Sequence, residues 1–134
     1  MKRKEFGALF VCSLATWLVG VSMMPLLPLY AARLGASAAA TGNYLAFSFA
    51  MLAAGTMLAG RLSRRLGRQR SLIVLAGAAA LPATWLMGHA ATIWQLTLLT
   101  SVIWFAAGIA LTLQSILLGL HAHKARRGRM FGLL

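Results

Sequence analysis

Acidic residues are all but missing. One, Glu5, stands against thirteen lysines and arginines, and only 10% of the chain is charged. A soluble domain carries about 25% charged residues, so most of this surface faces something other than water. Cysteine occurs once, at Cys12, inside the first apolar run, which rules out an internal disulfide. The thiol reads as a small apolar packing residue. It has no base near it in sequence and acids are too few, so no catalytic constellation is present and an enzyme is not expected. No Asp, Glu, Lys or Arg lies deep in an apolar run, although such charges commonly mark proton or ion relays. His89 is the one side chain placed to carry a proton, and it falls in a turn. His121 and His123 form His-x-His beside Lys124; two imidazoles without a third ligand read as an interfacial polar tail, so neither metal nor cofactor is expected.

What is present is apolar length. The chain has 134 residues, is 60% hydrophobic and carries a net charge of +12. Such a charge could suit a nucleic-acid binder, but its distribution argues otherwise. Lys2, Arg3 and Lys4 precede the first apolar run. Arg61, Arg64, Arg65, Arg68 and Arg70 fall between the second and third. Lys124, Arg126, Arg127 and Arg129 follow the last, leaving only Arg33 elsewhere. Twelve basic residues at three sites lie on one face if the apolar runs cross a bilayer in pairs. Positive charge is retained on the cytoplasmic side and attracted by anionic headgroups, so the partner is the lipid bilayer and not a nucleic acid.

The spacing predicts an all-α integral membrane protein with four transmembrane helices, both termini cytoplasmic, in a single domain over 1–134. The spans are about 6–30, 43–60, 71–87 and 94–120. The first is too long for the h-region of a cleaved signal peptide. Pro25 and Pro28 are expected to kink or unwind its last turn. An outer loop follows over 31–41, with Gly35 as a helix stop. More than fifty uncharged residues separate Arg70 from Lys124, and Gly88-His89-Ala90-Ala91 is the expected outer turn between spans three and four. Pro82 is expected to bend the third. Tyr30, Tyr44, Trp85 and Trp94 fall at outer ends, where amphipathic rings favour the headgroup level.

Within lipid, close packing of small residues holds helices together. Candidate faces are Ala76, Ala80, Thr84 and Gly88 in the third span, and Ala46, Ala50, Ala54 and Gly55 with Ala59 in the second. The fourth carries Thr97, Ser101, Trp104, Gly108, Thr112, Ser115 and Gly119 at helical spacing, with Gln114 beside them. The residues favour a helix–helix seam with hydroxyls bonded to the preceding turn. The alternative is a wall of a water-accessible cavity with Trp104 as a stacking surface. Ser13, Thr16, Trp17 and Gly20 form a shorter patch in the first span, with the same two readings.

Gly60-x-Leu62-x-x-Arg65-x-Gly67-Arg68 resembles the signature cytoplasmic loop of the major facilitator superfamily, with Arg64 and Arg70 inside the same stretch. Pro28-Leu29-Tyr30, Leu34-Gly35 and Gly42 are similar to the exit from that family's first helix. Arg127-Gly128-Arg129 with Phe131-Gly132 resembles the approach to its fifth. Two positions depart from the pattern: Arg64 stands where the family has an aspartate, and Gln69 where a basic residue is usual. The acid-dependent latch of the family is therefore not carried over. The fourth span also lacks the membrane arginine of the family's proton-coupled drug antiporters.

The resemblance implies twelve spans in two six-helix halves, of which this chain matches the first four, so an amino-terminal fragment is expected. It implies secondary active transport of a small solute by alternating access; efflux is one of the two directions left open, and a coupling proton or ion is a candidate partner. In that scheme the first and fourth helices line the cavity, which makes Thr16, Trp17, Trp104 and Gln114 the substrate-facing candidates. The expected partners are the missing transporter helices or a second copy. The location is the plasma membrane, the inner membrane in a bacterium, crossed several times. Two other functions compete. One is a self-contained four-helix multidrug exporter acting as a dimer; that type uses a glutamate within the first helix, whereas Glu5 precedes it. The other is a non-transporting membrane scaffold.

Overall fold

The computed structural model describes residues 3–121. Lys2 and the tail from Ala122, including His123, Lys124, Arg126, Arg127, Arg129, Phe131 and Gly132, lie outside the described residues. Four helices follow one another: α1 (Arg3–Arg33), α2 (Ala38–Leu66), α3 (Gln69–Met87) and α4 (Ile93–His121). All four are long and apolar enough to cross a membrane. Short connections force neighbours to run antiparallel, which puts the start of α1, the α2–α3 turn and the end of α4 at one end of the bundle.

The connections are shorter than the sequence suggests. α1 runs unbroken through Pro25 and Pro28 to Arg33, so the expected unwinding and the long loop over 31–41 do not occur. Each proline removes one donor, but the flanking bonds persist and carry the helix onward. It ends in a Schellman turn: Gly35 takes φ 78°, its N–H reaches the Ala32 carbonyl, and Ala36 N–H reaches that of Ala31. Ser37 then caps α2, its hydroxyl accepting from Ala40 N–H at 3.2 Å.

The arginine stretch is mostly helix. α2 continues to Leu66, and only Gly67 and Arg68 stand between it and α3. Gly67 takes φ 61° and its N–H bonds to the Ser63 carbonyl. Arginine is a good helix former, and Arg64 and Arg65 in the last turn meet the negative end of the helix dipole. The turn at Gly88-His89-Ala90-Ala91 lies where the sequence places it. Thr92 Oγ1 accepts from Gln95 N–H at 3.3 Å, and Gln95 Oε1 accepts from Ala91 N–H at 2.9 Å. This reciprocal pair resembles a capping box.

α4 is the centre. It packs against α2 and α3 along most of its length and against α1 more sparsely, and it buries Leu96, Thr100, Leu113, Gln114 and Leu118 almost completely. A helix apolar all round belongs inside, and α4 is that helix here. Its approach to α2 is set by two glycines. A Cβ at Gly55 would run into the Phe105 carbonyl, and one at Gly108 into the Leu52 carbonyl and the Thr56 amide. The expected Gly55–Ala59 face is therefore used, whereas Ala46, Ala50 and Ala54 are exposed. On α3 the buried positions are Ala76 and Ala83; Thr84 and Gly88 are exposed.

Enlarging Gly108 forces two backbones apart. Gly108→Leu is expected to destabilise the bundle by about 1–3 kcal/mol in denaturant unfolding from mixed micelles. Gly77→Leu, where nothing lies within 4 Å of the added Cβ, should leave the transition unchanged.

Candidate functional site

The polar side chains of α4 divide into three kinds. Thr97, Ser101, Thr112 and Ser115 donate to the carbonyls of Ile93, Thr97, Gly108 and Leu111, between 2.6 and 3.0 Å. These hydroxyls are satisfied within their own helix. Ser115 is exposed and Thr112 half-buried, because the buried face at this end of α4 rotates onto Leu113, Gln114, Leu117 and Leu118.

The second kind joins helices. Thr100 donates to Met87 Sδ at 3.5 Å, and its oxygen lies 3.1 Å from the buried Tyr44 hydroxyl. A threonine has one hydroxyl proton, so Tyr44 is the donor of that pair. The relay Tyr44–Thr100–Met87 ties α2, α4 and α3 together. Tyr30 adds α1 by donating to the Ala90 carbonyl at 3.0 Å. Both tyrosines thus turn into the bundle, while Trp85 and Trp94 project outward, 69% and 71% exposed. Only the tryptophans stand as an aromatic belt would.

The third kind is left with capacity to spare. Trp104, 9% exposed, packs on Phe49 of α2 with ring centroids 5.0 Å apart, yet its Nε1–H has no partner. Gln114, 1% exposed, donates from Nε2 to Cys12 Sγ at 3.2 Å, and its Oε1 has no partner. A polar atom buried away from water without a hydrogen bond is costly, and more so in lipid. The two residues lie ten positions apart on α4, about 15 Å along the axis.

Of the four cavity candidates, Gln114 and Thr16 are brought together through Cys12. The Thr16 hydroxyl donates to the Cys12 carbonyl at 2.8 Å, and Gln114 reaches the Cys12 sulfur from α4. Trp17 is 55% exposed and is not brought to Trp104. The signature residues straddle the turn: Gly60, Leu62, Arg64 and Arg65 are in α2, Gly67 and Arg68 form the turn, and Arg70 opens α3. Gln69 Nε2 donates across it to Ser63 Oγ at 3.3 Å. Sequence reasoning passed over Tyr44, Thr100 and Cys12 as inter-helix contacts. Thr100 shares a helical face with Thr97, Ser101 and Trp104, so the periodicity held the signal; Cys12 offered none.

Four apolar helices, each antiparallel to the next along the chain, with buried polar groups on the central one define a multi-pass membrane protein. The family model described as Major Facilitator Superfamily matches residues 2–134. The chain belongs to that superfamily, whose members are membrane transporters and not enzymes. No curated protein and no solved structure matches it.

Replacing either partner of the relay tests the inter-helix clamp. Tyr44→Phe and Thr100→Val are expected to couple by about 0.6 kcal/mol in a double-mutant cycle of micellar unfolding, the usual worth of such a bond in a membrane. Additive effects would show that the hydroxyls do not act as a pair.

Proposed function

We propose that the chain forms part of a secondary active transporter that moves a small solute, with efflux as its direction, by alternating access in the plasma membrane. The arginine turn and both termini face the cytoplasm. The supporting observation is the unsatisfied Nε1–H of Trp104 and Oε1 of Gln114 on the helix that the family resemblance assigns to the cavity. Both atoms are closed off within these four helices, so a solute meets this donor and this acceptor only when the helices over them move aside, the kind of rearrangement that alternating access supplies. Thr16 and Trp17 supply the facing wall from α1, and the outward-facing Trp17 is free to meet whatever stands opposite. A coupling proton or ion completes the cycle through groups on the remaining helices.

The orientation has a direct test. In a Cys12→Ser background, a cysteine replacing the exposed Arg64 is expected to resist an impermeant thiol reagent added outside intact cells and to react once the membrane is opened. Reaction from outside reverses the topology.

The transport role is tested in proteoliposomes with a panel of small organic solutes, using the chain alone and joined to the helices that complete a twelve-span transporter. Activity is expected in the joined form. There Gln114→Leu and Trp104→Phe should each lower it roughly tenfold, the equivalent of one hydrogen bond to the solute. Undiminished transport by both variants removes them from the pathway. Activity of the chain alone, lost on dilution, favours the dimeric exporter instead.

A further inference from the structure

A groove runs between α2, α3 and α4 at the arginine end. Its volume is about 220 Å³, its walls expose no polar surface, and Leu62, Leu72, Leu75, Ala79, Phe105 and Ile109 are among the residues that line it. Leu75 and Val102 stand open on its outer side, so it faces the surroundings of the bundle. Along α3 it extends from Leu72 to Ala79, about 10 Å, beginning one turn from the arginine turn.

The charge at its mouth is one-signed. Arg65 follows Leu62 by three residues and so stands on the same face of α2, while Arg68 precedes Leu72 by four and caps α3. Both are exposed, and Arg68, at the cap position of α3, makes no side-chain capping bond. The whole chain offers a single carboxylate side chain, Glu5, against these five arginines, so most of their charge has no counter-charge of that kind within it. An apolar slot opening under a surplus of guanidinium charge matches a molecule with a hydrocarbon chain below and a phosphate above.

We infer that this groove holds one acyl chain of an anionic glycerophospholipid whose phosphate is bound by Arg65 and Arg68 at the start of α3. The guanidinium fork suits a phosphate's oxygens, and the amides at the start of α3 add a positive dipole end. The inference rests on the membrane insertion argued above, with the arginine turn at a lipid surface. Anionic lipids of the cytoplasmic leaflet meet such a surface.

Native mass spectrometry of the purified chain, exposed to equal amounts of phosphatidylglycerol and phosphatidylcholine, reads the selectivity directly. Two arginines beside one headgroup correspond to roughly thirtyfold preference for the anionic lipid. Arg65→Gln with Arg68→Gln should bring that preference close to parity. Ala79→Phe, which fills the groove and keeps both arginines, should lose the retained lipid, while Ala78→Phe, outside the lining, should keep it. If Ala79→Phe loses helicity by circular dichroism, Leu75→Gln on the same wall gives the same reading. Glycerol phosphate, a headgroup without chains, should not compete. Equal retention of both lipids, undiminished retention in the groove variants, or competition by glycerol phosphate each overturns the proposal. Retention in micelles is blind to topology and transport, so failure here leaves the transporter reading standing.

Discussion

The contact on which the rest depends is the backbone approach of α2 and α4 at Gly55 and Gly108. Lipid gives helices no hydrophobic reason to associate, so the attraction must come from close van der Waals packing and from hydrogen bonds. Each glycine admits the other helix's backbone into the space a side chain would fill. With α2 drawn in so closely, α4 is flanked on one side by α2 and on the other by the alanine face of α3, and becomes the element the others surround. The Trp104–Phe49 stack and the Tyr44–Thr100 pair both lie on the outer side of this crossing, and both need its separation to meet.

That arrangement decides where polar groups go. Hydroxyls that bond to their own preceding turn cost little and hold nothing together. Those of Tyr30, Tyr44 and Thr100 reach other helices, and all act at the end away from the arginine turn. The arginine end has the softer Gln114–Cys12 and Gln69–Ser63 contacts. Gln114 is buried at that end with its acceptor unspent.

Much of the fold was legible because its signals are one-dimensional. Four apolar runs, their spacing and the position of basic clusters are properties of a string, and four helices follow from them. The Gly88 turn was marked by the residues themselves. Local rules were less faithful at ends: Pro25 and Pro28 read as breakers but lie in an unbroken helix, and the arginine stretch read as loop but Arg61, Arg64 and Arg65 belong to the last turns of α2 and Arg70 to the first of α3. Composition says where charge sits, not whether the backbone beneath it is helical. Packing faces were harder still. Alanine is so common here that Ala46–Ala50–Ala54 looked as good as Gly55–Ala59, and only the position of α4 separates them. The site candidates shared this limit: Thr16, Trp17, Trp104 and Gln114 were singled out by type and depth, whereas which of them meet depends on how α1 rotates about its axis, and sequence spacing fixes no such angle between helices.

The charge at position 64 obeys the same electrostatics. An acid there would stand at the carbonyl end of α2 and be repelled by the helix dipole, a cost that is recovered only against a neighbouring cation. Arg64 removes that cost, since it is favoured by the dipole of its own helix, but it adds a fifth like charge between positions 61 and 70. With one acid in the whole chain, most of the repulsion among these guanidinium groups is not relieved by a carboxylate side chain from within. It falls to counter-ions, headgroups or a facing protein surface, each of which gains affinity as the cluster grows. The stability of this end of the bundle is therefore a property of what lies against it, and should depend on salt in a way that the glycine crossing and the tyrosine clamp do not.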